Sequence, residues 1–262
     1  MIRFSRRFDP HSIRLLIFDL DGTLIDSRVD LVQSVNAMLR HFELPELPGD
    51  VIASYVGDGA PVLVRRALSN VHTKKAARQV DATTQTATIA PAQNVPTPEP
   101  VDEQFFNSAL EYFLGYYRLH KLDHTTVYEG IPEVLTGLAE ASDGVQRLMA
   151  VLTNKPVRPS QDIVQGLGLA DFFVHVYGGN SFPTKKPDPL GARTLLEETG
   201  VKASEALMIG DSAVDVLTGR NASLWTCGVT YGFAPHTLQE EGLPDVLVDA
   251  PRELGELFRS KS

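Results

Sequence analysis

Four short segments carry side chains that could do chemistry together. Asp19-Leu20-Asp21-Gly22-Thr23 sets two carboxylates two residues apart, ahead of a glycine turn. One carboxylate of such a pair can attack a phosphorus atom while the other moves a proton, although Asp beside Gly is also ordinary turn chemistry. Val151-Leu152-Thr153-Asn154-Lys155 ends an apolar run on a hydroxyl and an amide, and a turn of that kind can hold phosphate oxygens through side-chain and backbone donors. Lys185-Lys186-Pro187-Asp188-Pro189 offers an ammonium group as a point charge for a phosphate and a carboxylate. In isolation it is equally a surface basic pair, and Asp188 reads as a helix N-cap. Ile209-Gly210-Asp211-Ser212-Ala213-Val214-Asp215 places two acids four apart at the start of a helix, on one face. Hard oxygen ligands of this type suit Mg²⁺, which takes one or two carboxylates and keeps waters and substrate phosphate for its other positions.

The elements around these segments would bring them together. The apolar run 13–18 ends at Asp19 and reads as a buried strand. From residue 130 onward, helical patterns at 132–141, 159–167, 189–199 and 215–221 alternate with apolar runs at 148–152, 172–177, 206–209, 225–229 and 246–248. That alternation predicts an α/β fold, a Rossmann-like parallel sheet with helices on both faces. In open sheets of this class ligands bind beyond the carboxyl ends of the strands, where all four segments fall. Between the first strand and the rest lie helical patterns at 29–42, 49–70 (broken at Gly57-Asp58-Gly59) and 105–122. Residues 1–26 and 129–262 therefore read as a discontinuous core, and 27–128 as an inserted helical cap. Within the cap, 81–100 is dominated by Thr, Ala and Pro and reads as a flexible segment that buries too little to order itself. The apolar face of 105–122 is expected to include Phe105, Phe106, Leu110, Phe113, Leu114, Tyr117 and Leu122.

Composition excludes other classes. With 262 residues and 43% hydrophobic residues, the chain can bury a core without covalent staples. The net charge of −9 argues against general nucleic-acid binding. No apolar run is long enough to span a bilayer, and none follows Arg3, Arg6 and Arg7 to make a signal peptide. Residues 1–11 read as a solvated lead-in. Cys227, the single cysteine, is expected in the core and provides no disulfide framework. The cytoplasm is the default compartment, the acidic total leaves room for a local basic pocket that takes a small phosphorylated substrate, and a monomer or homodimer is expected.

Asp19-Leu20-Asp21-Gly22-Thr23-Leu24, Thr153-Asn154-Lys155, Lys186-Pro187 and Gly210-Asp211-Ser212-Ala213-Val214-Asp215 resemble, in order, the four motifs of the haloacid dehalogenase-like hydrolase superfamily. The 27–128 insertion resembles its helical type 1 cap. Tyr55-Val56-Gly57-Asp58-Gly59-Ala60, Tyr177-Gly178-Gly179-Asn180-Ser181-Phe182 and Gly228-Val229-Thr230-Tyr231-Gly232 resemble the phosphoglycolate phosphatase subgroup. The resemblance implies Mg²⁺-dependent hydrolysis of a phosphomonoester through an aspartyl-phosphate, with 2-phosphoglycolate as the expected substrate. It implies Asp19 as nucleophile and Asp21 as general acid and base. It assigns the metal to Asp19, Asp211, the backbone carbonyl of Asp21, and Asp215 directly or in support. Thr153 and Asn154 would hold the phosphoryl group, and Lys186 would offset its charge. Arg66 is the cap's candidate for the substrate carboxylate, with Gly57, Asp58 and Gly59 closing over it; Arg65 and Arg66 also read as a solvated helix face. Other readings are another small-ester phosphatase, a phosphohexomutase with the same core motifs, or a non-catalytic phospho-acceptor domain, which would need neither Asp21 nor a cap.

Overall fold

The computed structural model describes residues 1–84, 102–141, 144–240 and 243–259. In chain order the elements are β1 (Arg3–Phe4), β2 (Leu15–Phe18), β3 (Ile25–Asp26), α1 (Arg28–His41), α2 (Gly49–Ala53), α3 (Ala60–Thr84), α4 (Glu103–His120) and β4 (Thr126–Val127). They continue with α5 (Ile131–Ala139), β5 (Leu148–Leu152), α6 (Val157–Gly166), β6 (His175–Tyr177), α7 (Leu190–Thr199) and β7 (Ala206–Gly210). The last are α8 (Ala213–Asn221), β8 (Trp225–Val229), α9 (Thr237–Glu240), β9 (Val246–Val248) and α10 (Pro251–Leu257).

Seven strands form one sheet in the order β1-β9-β8-β7-β2-β5-β6. All neighbours pair in parallel except the β1–β9 edge, which is antiparallel. The expected α/β fold with a Rossmann-like parallel sheet is thus present. The four residues of β2 are all buried, because helices cover both faces of the sheet. Side chains alternate between the faces. Leu16 and Phe18 join a core with α5, α6 and α10, whereas Leu15 and Ile17 meet Ala192 and Leu195 of α7. Cys227 is buried, as expected from the sequence.

The chain order reverses at β2. After β2 the sheet grows outward through β5 and β6, then returns to the other side of β2 with β7 and continues to β8 and β9. A crevice opens where successive crossovers leave in opposite directions, beyond the carboxyl ends of these strands.

Between β2 and β5 the chain leaves and re-enters through a two-stranded antiparallel ribbon, Ile25 opposite Val127 and Asp26 opposite Thr126. The intervening helices bury one stripe each: Leu31, Val35, Met38 and Leu39 of α1; Leu63, Val64, Ala67, Leu68 and Val71 of α3; Phe106, Ala109, Phe113 and Tyr117 of α4. This interior is continuous with the core on the Phe18 face of the sheet. The junction is fixed by Asp30, whose buried carboxylate accepts from the backbone N–H of His124 at 3.0 Å, the N–H of Thr125 at 2.8 Å and the Thr125 hydroxyl at 2.7 Å. One carboxylate in the first turn of α1 thereby ties the outgoing chain to the returning one.

Three expectations change. Leu114 and Leu122 are exposed, because the buried stripe of α4 runs through Phe106, Ala109, Phe113 and Tyr117 instead. The helix expected to end at Asn70 continues to Thr84, so the Thr/Ala/Pro-rich segment at 81–100 starts inside α3; from residue 85 it lies outside the described residues. The lead-in at 1–11 is not merely solvated. Arg3 and Phe4 pair with Leu247 and Val246 as an edge strand, and Arg3 and Arg6 form ion pairs at 2.7 and 2.6 Å with Asp249 and Asp245. The Thr230 hydroxyl and the Arg3 guanidinium hold the Asp249 carboxyl down at about 2.

Two outcomes follow from these anchors. Asp30→Ala strands the Thr125 donors in a dry site and should cost about 3 kcal/mol in a urea titration, whereas exposed Asp123→Ala should cost under about 0.5 kcal/mol. Asp249 titrates lower when folded than when unfolded, so its stabilisation is present above the unfolded value of 3.8 and lost as pH falls through about 2. The melting-temperature gap between wild type and Asp249→Asn should be full at neutral pH and close across that window.

Candidate active site

Asp19, Thr153 and Asp211 each stand one residue beyond the end of a parallel strand, on β2, β5 and β7. Register puts those ends level, with Phe18 opposite both Val151 and Ile209. Lys186 arrives from the loop after β6, and Asp215 from the first turn of α8. Relative exposure is 7% for Asp19, 3% for Thr153, 5% for Lys186, 3% for Asp211 and 1% for Asp215, so these polar groups are held away from bulk water.

Their pairing is specific. The Lys186 ammonium lies 2.8 Å from Asp19 Oδ1 and 2.6 Å from Asp215 Oδ1. Asp215 Oδ2 accepts from the Ser212 N–H at 3.1 Å and the Ser212 hydroxyl at 2.7 Å. Both Asp215 oxygens are therefore engaged by protein donors. Asp211 Oδ2 accepts the backbone N–H groups of Phe233 at 2.6 Å and Ala234 at 3.1 Å, from the loop after β8. Close approach to Asp211 requires glycine at position 22. Gly22 has φ +84°, and a Cβ there would sit 2.3 Å from Asp211 Oδ2.

Asp21 points elsewhere. Its carboxylate accepts from the Lys155 ammonium at 2.9 and 2.8 Å, one contact to each oxygen, and from the Ser27 hydroxyl at 2.5 Å. The two aspartates of the first segment thus face two different lysines. The Lys155 ammonium also sits 4.7 Å from the centre of the Tyr117 ring, on α4.

Asp19, Asp21, Thr153, Lys155 and Tyr117 line a cavity of about 40 Å³ between the strand ends and the inserted helices, together with Leu31, Val56, Gly57, Gly59, Ala60 and other apolar groups. The Gly57-Asp58-Gly59 turn is held to the core from two sides. Asn154 Nδ2 donates to Gly57 O at 3.2 Å and to Lys186 O at 3.1 Å, and Lys185 Nζ donates to Asp58 O. The Nδ2 donors of Asn154 are thus spent on fastening backbone. Arg66 is not brought to the cavity. It pairs with Asp58 at 2.7 Å and lines a separate surface hollow, because its place on α3 turns it away from the strand ends.

The donor set suits a divalent cation. Asp19, Asp211 and Asp215 have carboxylate oxygens within 4.8 Å of one another, all buried. Counting Asp21, four carboxylates meet two ammonium groups, so full ionisation leaves an excess of two negative charges. Burial and the neighbouring carboxylates express this imbalance by pushing Asp19 up to about 6 and Asp211 up to about 8, against the pull of Lys186 on Asp19. A hard, doubly charged ion with oxygen preference offsets such a site.

Sequence reasoning passed over Lys155, Ser27, Tyr117 and the Phe233 and Ala234 amides. Lys155 was visible as a lysine placed directly at a strand end, yet a lysine before a helix ordinarily points to solvent. Ser27 lies only six residues after Asp21, but nothing in its type marks it for that contact; Tyr117 and the two amides come from segments distant in sequence, which local spacing does not report.

Comparison with known proteins agrees with this geometry. Residues 16–229 match the family model described as haloacid dehalogenase-like hydrolase. The phosphoglycolate phosphatase of Vibrio vulnificus strain YJ016 is 34% identical over 92% of this chain and 94% of its own length. That of Neisseria gonorrhoeae is 33% identical, over 93% of this chain and 92% of its own. A crystal structure described as a predicted phosphoglycolate phosphatase from Haemophilus somnus 129pt superposes with a TM-score of 0.78 at 27% identity, covering 95% of this chain and 99% of that one. Strand ends, ion pairs, matched residues and relatives agree: the chain belongs to the haloacid dehalogenase-like hydrolase family and is one of its phosphatases.

Proposed function

We propose that this phosphatase hydrolyses a small phosphomonoester, 2-phosphoglycolate, with Mg²⁺ and through a phospho-Asp19 intermediate. The observation that carries the reading is the divided pairing of the two aspartates: Asp19 with Lys186, Asp21 with Lys155 and Ser27. In the first half-reaction an Asp19 oxygen forms a bond to phosphorus while the ester P–O bond breaks, and Asp21 gives a proton to the departing alkoxide. In the second, Asp21 takes a proton from water, whose oxygen attacks phosphorus and returns Asp19 as a carboxylate. The observed hydrogen bonds to Asp21 suit that second stage, since its oxygens accept from all their partners.

Lys186 keeps Asp19 from repelling the phosphate dianion. Thr153 offers a hydroxyl on the cavity wall for a phosphoryl oxygen. Asn154 acts on the substrate indirectly by fastening the Gly57–Gly59 turn. Asp19 and Asp211, with the Asp21 main-chain carbonyl, are the groups to hold Mg²⁺, which when bound supplies positive charge at the phosphoryl oxygens. Asp215 supports this by positioning Lys186, both of its oxygens being taken.

Residues 27–128 act as the cap over a core of 1–26 and 129–262, and the small cavity beneath them favours a compact substrate over a sugar or nucleotide phosphate. The lone buried Cys227 and the absence, among the described residues, of a helix able to cross a membrane are compatible with the cytoplasmic location in this reading.

The test is phosphate release from a panel of small esters with Mg²⁺ and with chelator. Release from 2-phosphoglycolate should require the metal, and Asp19→Asn should reduce it to background while retaining the wild-type melting temperature. Mg²⁺ should raise that temperature in wild type but not in Asp211→Asn. Metal-independent release, or an active Asp19→Asn, would overturn the mechanism. Separately, Gly22→Ala forces a left-handed residue and a steric overlap on Asp211; a loss of about 2 kcal/mol in stability is expected, together with weaker Mg²⁺ binding by calorimetry.

A further inference from the structure

Lys155 is the one cation among the side chains described around the cavity, and it is placed unlike a structural lysine. Its side chain is 5% exposed. An ammonium group has three N–H donors. Two of them go to Asp21, at 2.9 and 2.8 Å, and the third faces the Tyr117 hydroxyl oxygen. The Tyr117 hydroxyl is buried, at 2% residue exposure, with the Lys155 ammonium as its polar neighbour, and its own O–H finds no acceptor. Buried donors without acceptors are uncommon, because each keeps the full cost of leaving water. Here one, backed by an ammonium group, faces a small space next to Asp19 and Thr153, within walls that are otherwise mainly apolar: Leu31, Val56, Leu63 and Phe113.

We infer that Lys155 and Tyr117 form a carboxylate clamp that selects phosphate monoesters carrying an acid group close to the ester oxygen. This rests on the phosphatase reading above and deepens it by assigning the specificity residues. The Tyr117 O–H donates to one oxygen of the substrate's carboxylate, and the Lys155 ammonium turns its third N–H from the Tyr117 oxygen to the other. The apolar walls exclude the water that would otherwise solvate that charge, so the clamp is worth more than it would be in solution. A neutral substituent in the same place leaves the Tyr117 O–H unpaired and forgoes the attraction of the Lys155 ammonium, and such a mismatch is the strongest form of discrimination available to a small pocket. Because Tyr117 belongs to the inserted helices and Lys155 to the core, the bound acid group also bridges the two parts of the chain. Arg66, turned away toward Asp58, is not needed for this role.

The experiment compares kcat/KM for 2-phosphoglycolate and for ethyl phosphate, which keeps the C–C–O–P skeleton without the acid group. Wild type should prefer 2-phosphoglycolate by at least about a hundredfold. Tyr117→Phe, which keeps the ring, should lower that preference about tenfold, chiefly through KM. Lys155→Gln should lower it further while also slowing both substrates, since Asp21 loses its partner. Calorimetric binding of 2-phosphoglycolate to Asp19→Asn should weaken by a similar factor when Tyr117→Phe is added. Equal losses on both substrates in both variants, or a wild-type enzyme that hydrolyses ethyl phosphate as well as 2-phosphoglycolate, would overturn the clamp and leave the phosphatase intact. A wild-type enzyme that releases phosphate from neither ester would overturn the hydrolase reading and the clamp with it.

Discussion

Four carboxylates and two ammonium groups share one poorly solvated end of a parallel sheet, and the rest of the structure answers to that crowding. Like charges at this spacing in a dry site repel strongly. They are tolerated because each acid has a partner: Lys186, shared by Asp19 and Asp215, Ser212 for Asp215, two backbone amides for Asp211, and Lys155 with Ser27 for Asp21. The remaining imbalance raises Asp19 and Asp211 above their ordinary range and makes the site suitable for a divalent ion. The same charge that makes the cluster costly to bury makes it able to organise a phosphate ester.

The sheet supplies the rigidity this arrangement requires. β2 is central and wholly buried, so Asp19 is anchored by ladders to β5 and β7 on either side. Its own N–H adds one more bond, to Ile209 O at 2.8 Å. Moving one strand end would move a carboxylate relative to two others. Glycine at position 22 belongs to the same constraint, since any side chain there would collide with Asp211.

The inserted helices complete the site from above. They bury apolar stripes in an interior continuous with one face of the core, and Asp30 clamps the crossing point where the chain leaves and returns. Their contribution to the cavity is mostly apolar, with Tyr117 as the polar exception. The charged groups at the strand ends and the mainly apolar groups of the overlying helices thereby come from different parts of the chain.

The sequence alone carried the fold and most of the strand-end cluster. Alternating apolar runs and helical patterns specify buried parallel strands because a two-faced sheet demands nearly continuous apolar residues. Acids and a hydroxyl immediately after those runs must fall at one edge. Hence Asp19, Asp21, Thr153, Asp211 and Asp215 were legible from position and residue type. Tertiary structure decided which group touches which. Lys155 reads locally as a lysine before a helix; folding buries it between Asp21 and Tyr117, residues 134 positions away and on another element. Arg66 has the right charge, but the orientation of α3 commits it to Asp58. The β1 edge exists only because Val246 and Leu247 present an open ladder to Arg3 and Phe4. Periodicity reports which face of an element is buried, but not what stands opposite that face. A partner distant in the chain is chosen by the packing of the whole fold.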